Sequence, residues 1–176
     1  IIGDGECDEG AVWESALIAN QYKLDNFIVT IDFNKIQSLA PVEETIALEP
    51  MDEKWRSFGW HVVEVDGHDH DALREALMNP HTSLPTVVIA HTVKGKYVPF
   101  MENDILWHYR FPHDGWEYDG AVNALHQCKP DGVEDPYTPC GIENPVLPGP
   151  DADIYVDHTM GATFRPTWYQ VQEVSK

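Results

Sequence analysis

The sequence predicts an α/β fold built as a doubly wound, mostly parallel sheet, and three observations point to it. Strand-length apolar runs stand at 27–31, 60–66 and 85–90, and Ile1-Ile2 reads as the end of another. Stretches with apolar residues at helical spacing fill the intervals. The run Pro85-Thr86-Val87-Val88-Ile89-Ala90 is nearly continuous rather than alternating, as in parallel strands covered on both faces. Such alternation from residue 1 to residue 91 is the pattern of a wound sheet.

Each element follows from local chemistry. Gly3-Asp4-Gly5-Glu6 leaves the first strand, where two glycines allow a sharp turn and close approach of a ligand. Ala11, Val12, Leu17, Ile18 and Leu24 then mark a helix over about Glu9–Leu24. A helix opening on a Gly-rich turn presents a positive N-terminus to anions, with phosphate the natural guest. The strand Phe27–Ile31 delivers Asp32 and Asn34 to the carboxyl edge of the sheet, where open parallel sheets hold ligands.

Ser38–Thr45 reads as a loop because of Pro41 and its lack of period, and Met51–Phe58 as an amphipathic helix stopped by Gly59. Trp60–Asp66 is the next strand. The His68-Asp69-His70-Asp71 stretch invites a metal reading, but Asp69 or Asp71 is better placed as the N-cap of a helix over Ala72–Met78. A loop from Thr92 leads past Trp107-His108 to a helix over Asp114–Gln127, which contains Gly115 and Gly120. The composition then shifts: Cys128–Pro150 holds six Pro and three Gly, which disfavours regular helix or central strand. Tyr137, Ile142, Val156, Phe164 and Trp168 still need somewhere to pack, so this tail reads as an extended arm over 128–176 lying on a partner subunit.

Composition narrows the partners. The 176 residues suffice for one domain, 1–127, with a sizeable core. Eleven basic against thirty acidic residues give a net charge of -19, which argues against nucleic acid and anionic membrane. Lys94, Lys96 and Arg110 lie near one another in sequence and suggest a local basic patch. Cys7, Cys128 and Cys140 are too few and too scattered for a disulfide framework or zinc site, which fits a reducing cytoplasm. No apolar run reaches the roughly 18 residues of a membrane span. The chain does not start with Met, and its first strand is cut short, so the reading is an N-terminally incomplete domain.

Asp4 and Asn34, meeting at one sheet edge, offer a carboxylate and an amide oxygen to a hard cation; a backbone carbonyl would complete the protein's share. A tight turn with Asp4 as a mere helix cap is the plainer alternative. Gly3-Asp4-Gly5 followed by Asn34 thirty positions after Asp4 resembles the thiamine-diphosphate motif. Glu9-Gly10, Trp13-Glu14 and Leu24-Asp25-Asn26 narrow the resemblance to the transketolase family, over about residues 1–127.

That resemblance implies the diphosphate-binding subunit of a split transketolase, with Asp4, Asn34 and the Ile36 carbonyl on Mg²⁺ (or Ca²⁺). Gly3 belongs to the same cofactor turn, and the Gly5 and Glu6 amides would donate to phosphate oxygens. Thr92–Lys96, Phe100–Asn103 and Trp107-His108 resemble the closing part of the family's cofactor domain. His108 is thereby the residue expected to contact the diphosphate or transfer a proton near the substrate, work suited to an imidazole. Glu9 and Glu14 match glutamates at the family's dimer interface, although Glu early in a helix also complements the dipole. Leu39-Ala40 stands where relatives often carry Asp-Gly, and Tyr97 where many carry Gly.

The glutamate that activates the cofactor's aminopyrimidine lies in a second domain that nothing here resembles. The expected assembly is therefore a hetero-oligomer, two copies each of this chain and a pyrimidine-binding subunit, acting on sugars or sugar phosphates. A 2-oxoacid-decarboxylating relative, such as a dehydrogenase E1 component or deoxyxylulose-phosphate synthase, is the alternative chemistry. A non-catalytic scaffold subunit is the alternative role.

Overall fold

The computed structural model describes residues 1–129, 131–132, 155–157 and 162–164, in two compact units, Ile1–Cys128 and Lys129–Lys176. Within the first, four parallel strands, β1 (Ile2–Gly3), β2 (Ile28–Phe33), β3 (His61–Asp66) and β4 (Thr86–His91), stand in the order β1-β2-β4-β3. The register sets Gly3 beside Asp32, Ile31 beside Ile89 and Glu64 beside Ile89. Connections from β1 and β2 run one way across the sheet and the return from β3 to β4 runs back. Right-handed crossovers therefore place their helices on opposite faces.

The first face carries the main core. Helices α1 (Gly10–Gln21) and α3 (Met51–Ser57) meet over it through Trp13, whose ring lies 5.2 Å from Trp55 and 5.1 Å from Phe58. Trp55 in turn meets Trp60 edge-on at 4.9 Å, and the Trp60 indole donates to the Ala16 carbonyl at 3.0 Å. These rings close over Ile31, Phe33, Val62, Val87 and Ile89, the inward set of three adjacent strands. On the other face α4 (His70–Met78) packs on β3 and β4, and Val88 and Ala90 of β4 are buried along with Ala76 of α4. Burial of β4 on both sides explains its unbroken apolar run.

Several boundaries differ from those expected, each for a local reason. Gly5–Asp8 forms a 3₁₀ turn, so the first α-helix starts only at Gly10 and ends at Gln21 rather than spanning Glu9–Leu24. β2 continues through Phe33 because β4 offers partners up to His91, two residues beyond where the apolar run stops. Part of the expected loop 38–45 is helical: α2 (Val42–Thr45) follows Pro41, whose preset φ suits a helix start, and buries Val42. Gly59 stops α3 in the left-handed region, at φ +84, with its N–H bonded to the Arg56 carbonyl at 2.9 Å. Asp69 is the N-cap of α4, accepting from Asp71 N and Ala72 N at 3.0 Å each.

Past β4, a 3₁₀ turn covers Ile105–His108, and α5 (Trp116–Cys128) runs one residue beyond the expected end, so Cys128 is helical. In the second unit β5 (Tyr155–Asp157) and β6 (Ala162–Phe164) pair antiparallel with Val156 opposite Thr163. The sequence named no strand there. The arm expected over 128–176 otherwise lies outside the described residues.

Trp55 is 1% exposed at the centre of this cluster. Trp55→Ala is expected to cost about 3–5 kcal/mol of folding stability, read as a lowered denaturant midpoint in chemical unfolding.

Candidate functional site

The site begins where β1 and β2 end side by side. Asp4 N donates to the Asp32 carbonyl at 3.2 Å, extending the parallel ladder by one residue and fixing where the Asp4 side chain leaves the sheet. That side chain is 3% exposed, and its Oδ2 accepts the Lys35 backbone N–H at 2.7 Å. The bond draws the loop after β2 against the Gly-Asp-Gly turn. Lys35 adopts φ +65, and the Asn34 Oδ1 accepts from Ile36 N at 3.0 Å in an Asx turn. Ile36 then bridges to Pro41, with Gln37 N bonded to the Ala40 carbonyl at 3.0 Å, so residues 37–40 form a tight turn.

Neither glycine of the motif uses the left-handed region; the φ values beyond +20° fall elsewhere. Their role is space. A Cβ on Gly3 would first meet Glu6 Oε2 at 3.8 Å, and one on Gly5 would first meet the Gln37 side chain at 3.5 Å. The chain itself would accommodate both. Glu6 folds back so that its carboxylate accepts from Gly3 N at 2.7 Å. The Glu6 N–H, in the first turn of the 3₁₀ segment, lacks an intrahelical acceptor and is available to an anion.

Burial raises the pKa of Asp4 above its ordinary 3.8, the Lys35 and Gly5 N–H groups pull it back down, and the nearby Asp32 and Asp8 carboxylates push it up again. The same negative surroundings, with burial first, push the Cys7 thiol up to about 12. An anion would not settle here unaided. A divalent cation would neutralise Asp4 and bridge to phosphate, and the donors at hand, one carboxylate, one amide oxygen and the Ile36 carbonyl, are the hard oxygen type that Mg²⁺ prefers. Among the described residues no group of three or more His, Cys, Asp or Glu forms a metal cluster, so any cation here would lean on amide and carbonyl oxygens. Gln37, which the sequence did not single out, is 7% exposed against Gly5, and its Nε2 has no hydrogen-bond partner.

His108 closes the 3₁₀ turn that ends the second loop, and its Nε2 lies 3.3 Å from Ser38 Oγ, on the turn that follows Ile36. Loss of water around the ring lowers its pKa, and Lys94 lowers it further, so the imidazole is neutral at pH 7. Of the expected basic patch of Lys94, Lys96 and Arg110, the arginine is neutralised by a carboxylate. Arg110 is committed to the Glu117 carboxylate and stacks 4.4 Å over Trp107, while Lys96 lies 5.3 Å over Tyr97. These contacts anchor the segment bearing His108. Tyr97 does occupy a glycine-like conformation, at φ +71, where its N–H bonds Glu102 Oε1 at 2.8 Å.

Asp32 is tied to the start of this loop by the Thr92 hydroxyl, which donates to its Oδ1. His68 accepts from Val93 N at 2.8 Å, a backbone-anchoring role in place of metal ligation. A wide cleft, about 1050 Å³, lies at the ends of β3 and β4 among His68, His91, Arg74 and Tyr97. Asp4, Asn34, Ile36 and His108 do not line it.

Residues 1–109 match the family model described as the thiamine diphosphate binding domain of transketolase. The chain belongs to the transketolase family. It is 39% identical over 129 residues to an apulose-4-phosphate transketolase subunit of Phocaeicola vulgatus, covering 72% of this chain and 46% of that protein. It is 41% identical over 110 residues to 6-deoxy-6-sulfo-D-fructose transketolase subunit SqwG of Clostridium sp., covering 61% and 40%. The chain thus spans less than half the length of these relatives. Among solved structures, transketolase from Campylobacter jejuni superposes with a TM-score of 0.53 at 29% identity, over 60% of this chain and 17% of that one. The family match assigns the wound sheet to the thiamine diphosphate binding domain of that family. Among the described residues no helix is long and apolar enough to cross a membrane.

Because burial raises the Asp4 pKa, the protonated form is favoured by folding, and that stabilisation is lost as pH rises through the folded-state value. In chelator at neutral pH, Asp4→Asn is therefore expected to melt higher than the parent chain. The gap should narrow as pH falls toward 3.8, and paired thermal melts across pH check the sign.

Proposed function

We propose that this chain is the diphosphate- and Mg²⁺-binding subunit of a thiamine-diphosphate-dependent transketolase that moves a two-carbon ketol unit between sugars or sugar phosphates. The observation that carries the reading is the buried Asp4 carboxylate held against the Asn34–Ile36 loop through Lys35 N at 2.7 Å. In that reading Asp4, the Asn34 amide oxygen and the Ile36 carbonyl hold the cation, and the Glu6 N–H donates to a phosphate oxygen. Gly3 and Gly5 leave room for the diphosphate, with the Gly5 N–H shared between Asp4 and the ligand. When bound, thiamine diphosphate supplies the electron sink for breaking a carbon–carbon bond beside a carbonyl. His108, neutral and close to the metal loop, contacts the diphosphate or moves a proton at the substrate.

A pyrimidine-binding partner completes the active site, and we infer two copies of each subunit. The relatives named as transketolase subunits support the division of labour. Their named substrates, a sugar phosphate and a sulfonated sugar, support a donor ketose with an anionic end. The free thiol of buried Cys7 fits a cytoplasmic setting.

Calorimetric titration of thiamine diphosphate with Mg²⁺ into the chain mixed with its partner subunit tests this reading. Binding is expected in the mixture and should be lost in chelator. Asp4→Ala is expected to weaken it by more than about 100-fold, since outer-shell losses alone cost about 10–100-fold. Binding that survives both chelator and Asp4→Ala would refute the assigned cation site. Ketose cleavage by the mixture without release of carbon dioxide is the expected reaction, and pyruvate decarboxylation instead would refute ketol transfer.

A further inference from the structure

Two loops far apart in sequence meet at Ser38. The first is the tight turn 37–40, stiffened by the Ile36–Pro41 bridge, the Gln37 N bond to Ala40 O at 3.0 Å and the Val42 N bond to Lys35 O at 3.0 Å. The second is the segment after the 3₁₀ turn Ile105–His108, anchored by the Trp107 indole on the Phe100 carbonyl at 2.9 Å and by Arg110 on Glu117. Two contacts join them. Ser38 Oγ lies 3.3 Å from His108 Nε2, and the Tyr109 phenol donates to the Ser38 carbonyl. Consecutive residues of one loop thus grip both the side chain and the backbone of a single residue of the other.

We propose that Ser38 is a positioning residue for His108: its hydroxyl donates to Nε2, and Tyr109 holds the Ser38 backbone in place, so the neutral ring keeps its proton on Nδ1. A neutral imidazole carries one N–H and one lone pair, and the bond made by one nitrogen decides what the other offers. Free imidazole side chains favour the proton on Nε2. A hydroxyl donating there reverses that preference and leaves Nδ1–H, which has no hydrogen-bond partner among the described residues, to donate to a ligand oxygen. The charged group acting on the ring is Lys94, a cation with no lone pair to compete for a ring proton. The same contacts tie the orientation of His108 to the turn that carries Ile36. The value of an Nδ1 donor at this place rests on the cofactor reading above; the hydrogen bond and the tautomer do not.

The test is nitrogen-15 NMR of the imidazole rings in the labelled full chain, above the pKa of His108, with its signals assigned by their absence in His108→Gln. The wild-type ring is expected to be predominantly the Nδ1–H tautomer. Ser38→Ala should return it to predominantly Nε2–H while amide signals away from residues 36–41 and 105–110 stay in place, and Ser38→Thr should restore the wild-type pattern. A wild-type ring with its proton mainly on Nε2 overturns the proposal without any variant, as does a Ser38→Ala ring indistinguishable from wild type. These spectra need neither cofactor nor partner. A failed cofactor titration with the expected tautomer would therefore refute the functional reading alone, and binding with the wrong tautomer would refute only the role of Ser38.

Discussion

The placement of Asp4 depends on the short parallel pairing of β1 with β2, and the rest of the site depends on Asp4. Gly3 registers with Asp32, and the next N–H along the chain, that of Asp4, still finds the Asp32 carbonyl. With the backbone so fixed, the carboxylate is carried off the sheet into a buried position where Lys35 N reaches it. A buried carboxylate without a full complement of partners is costly. The backbone N–H groups of Lys35 and Gly5 offset part of that cost, and the crowding by Asp8 and Asp32 adds to it. The turn and the 34–36 loop are held together by a group whose charge is still incompletely compensated.

That imbalance has a consequence for what the site can accept. Phosphate usually finds a helix N-terminus or a cluster of basic residues. Here the first α-helix stands off behind a 3₁₀ turn, Arg110 is spent on Glu117, and the Asp32 and Asp8 carboxylates act on Asp4. Those carboxylates oppose an anion beside Asp4. A cation held by Asp4 and neighbouring oxygens would offset these carboxylates, so the donor chemistry and the electrostatics would favour the same occupant. The wide cleft at the ends of β3 and β4 is lined by none of Asp4, Asn34, Ile36 and His108.

The aromatic core explains how such a site is kept rigid. Trp13, Trp55, Phe58 and Trp60 knit α1 and α3 to one face of the sheet, and the indole of Trp60 satisfies the Ala16 carbonyl inside that layer. Asp4, Asn34 and Ile36 follow strands at the carboxyl edge of that layer. A second aromatic group, Phe100, Trp107 and Trp116, with Arg110 over Trp107, plays the corresponding part for the loop that carries His108.

The sequence alone determined whatever local chemistry can encode. The alternation of apolar runs specifies strands and helices, the N-cap that Asp69 or Asp71 could supply is Asp69, and the spacing of Asp4 from Asn34 places both at one sheet edge because each directly follows a strand. Tertiary structure decided the rest, since it depends on groups distant in sequence. The extra length of β2 came from β4, and Val42 turned a loop with no period into helix by being buried. The expected basic patch lost its arginine because a carboxylate seven residues from Arg110 and an aromatic ring took its guanidinium. Ser38 and His108 are seventy positions apart, and no local propensity links them. Backbone preference is settled within a few residues; burial, charge and hydrogen-bond partners are settled only when the whole sheet has brought its loops to one edge.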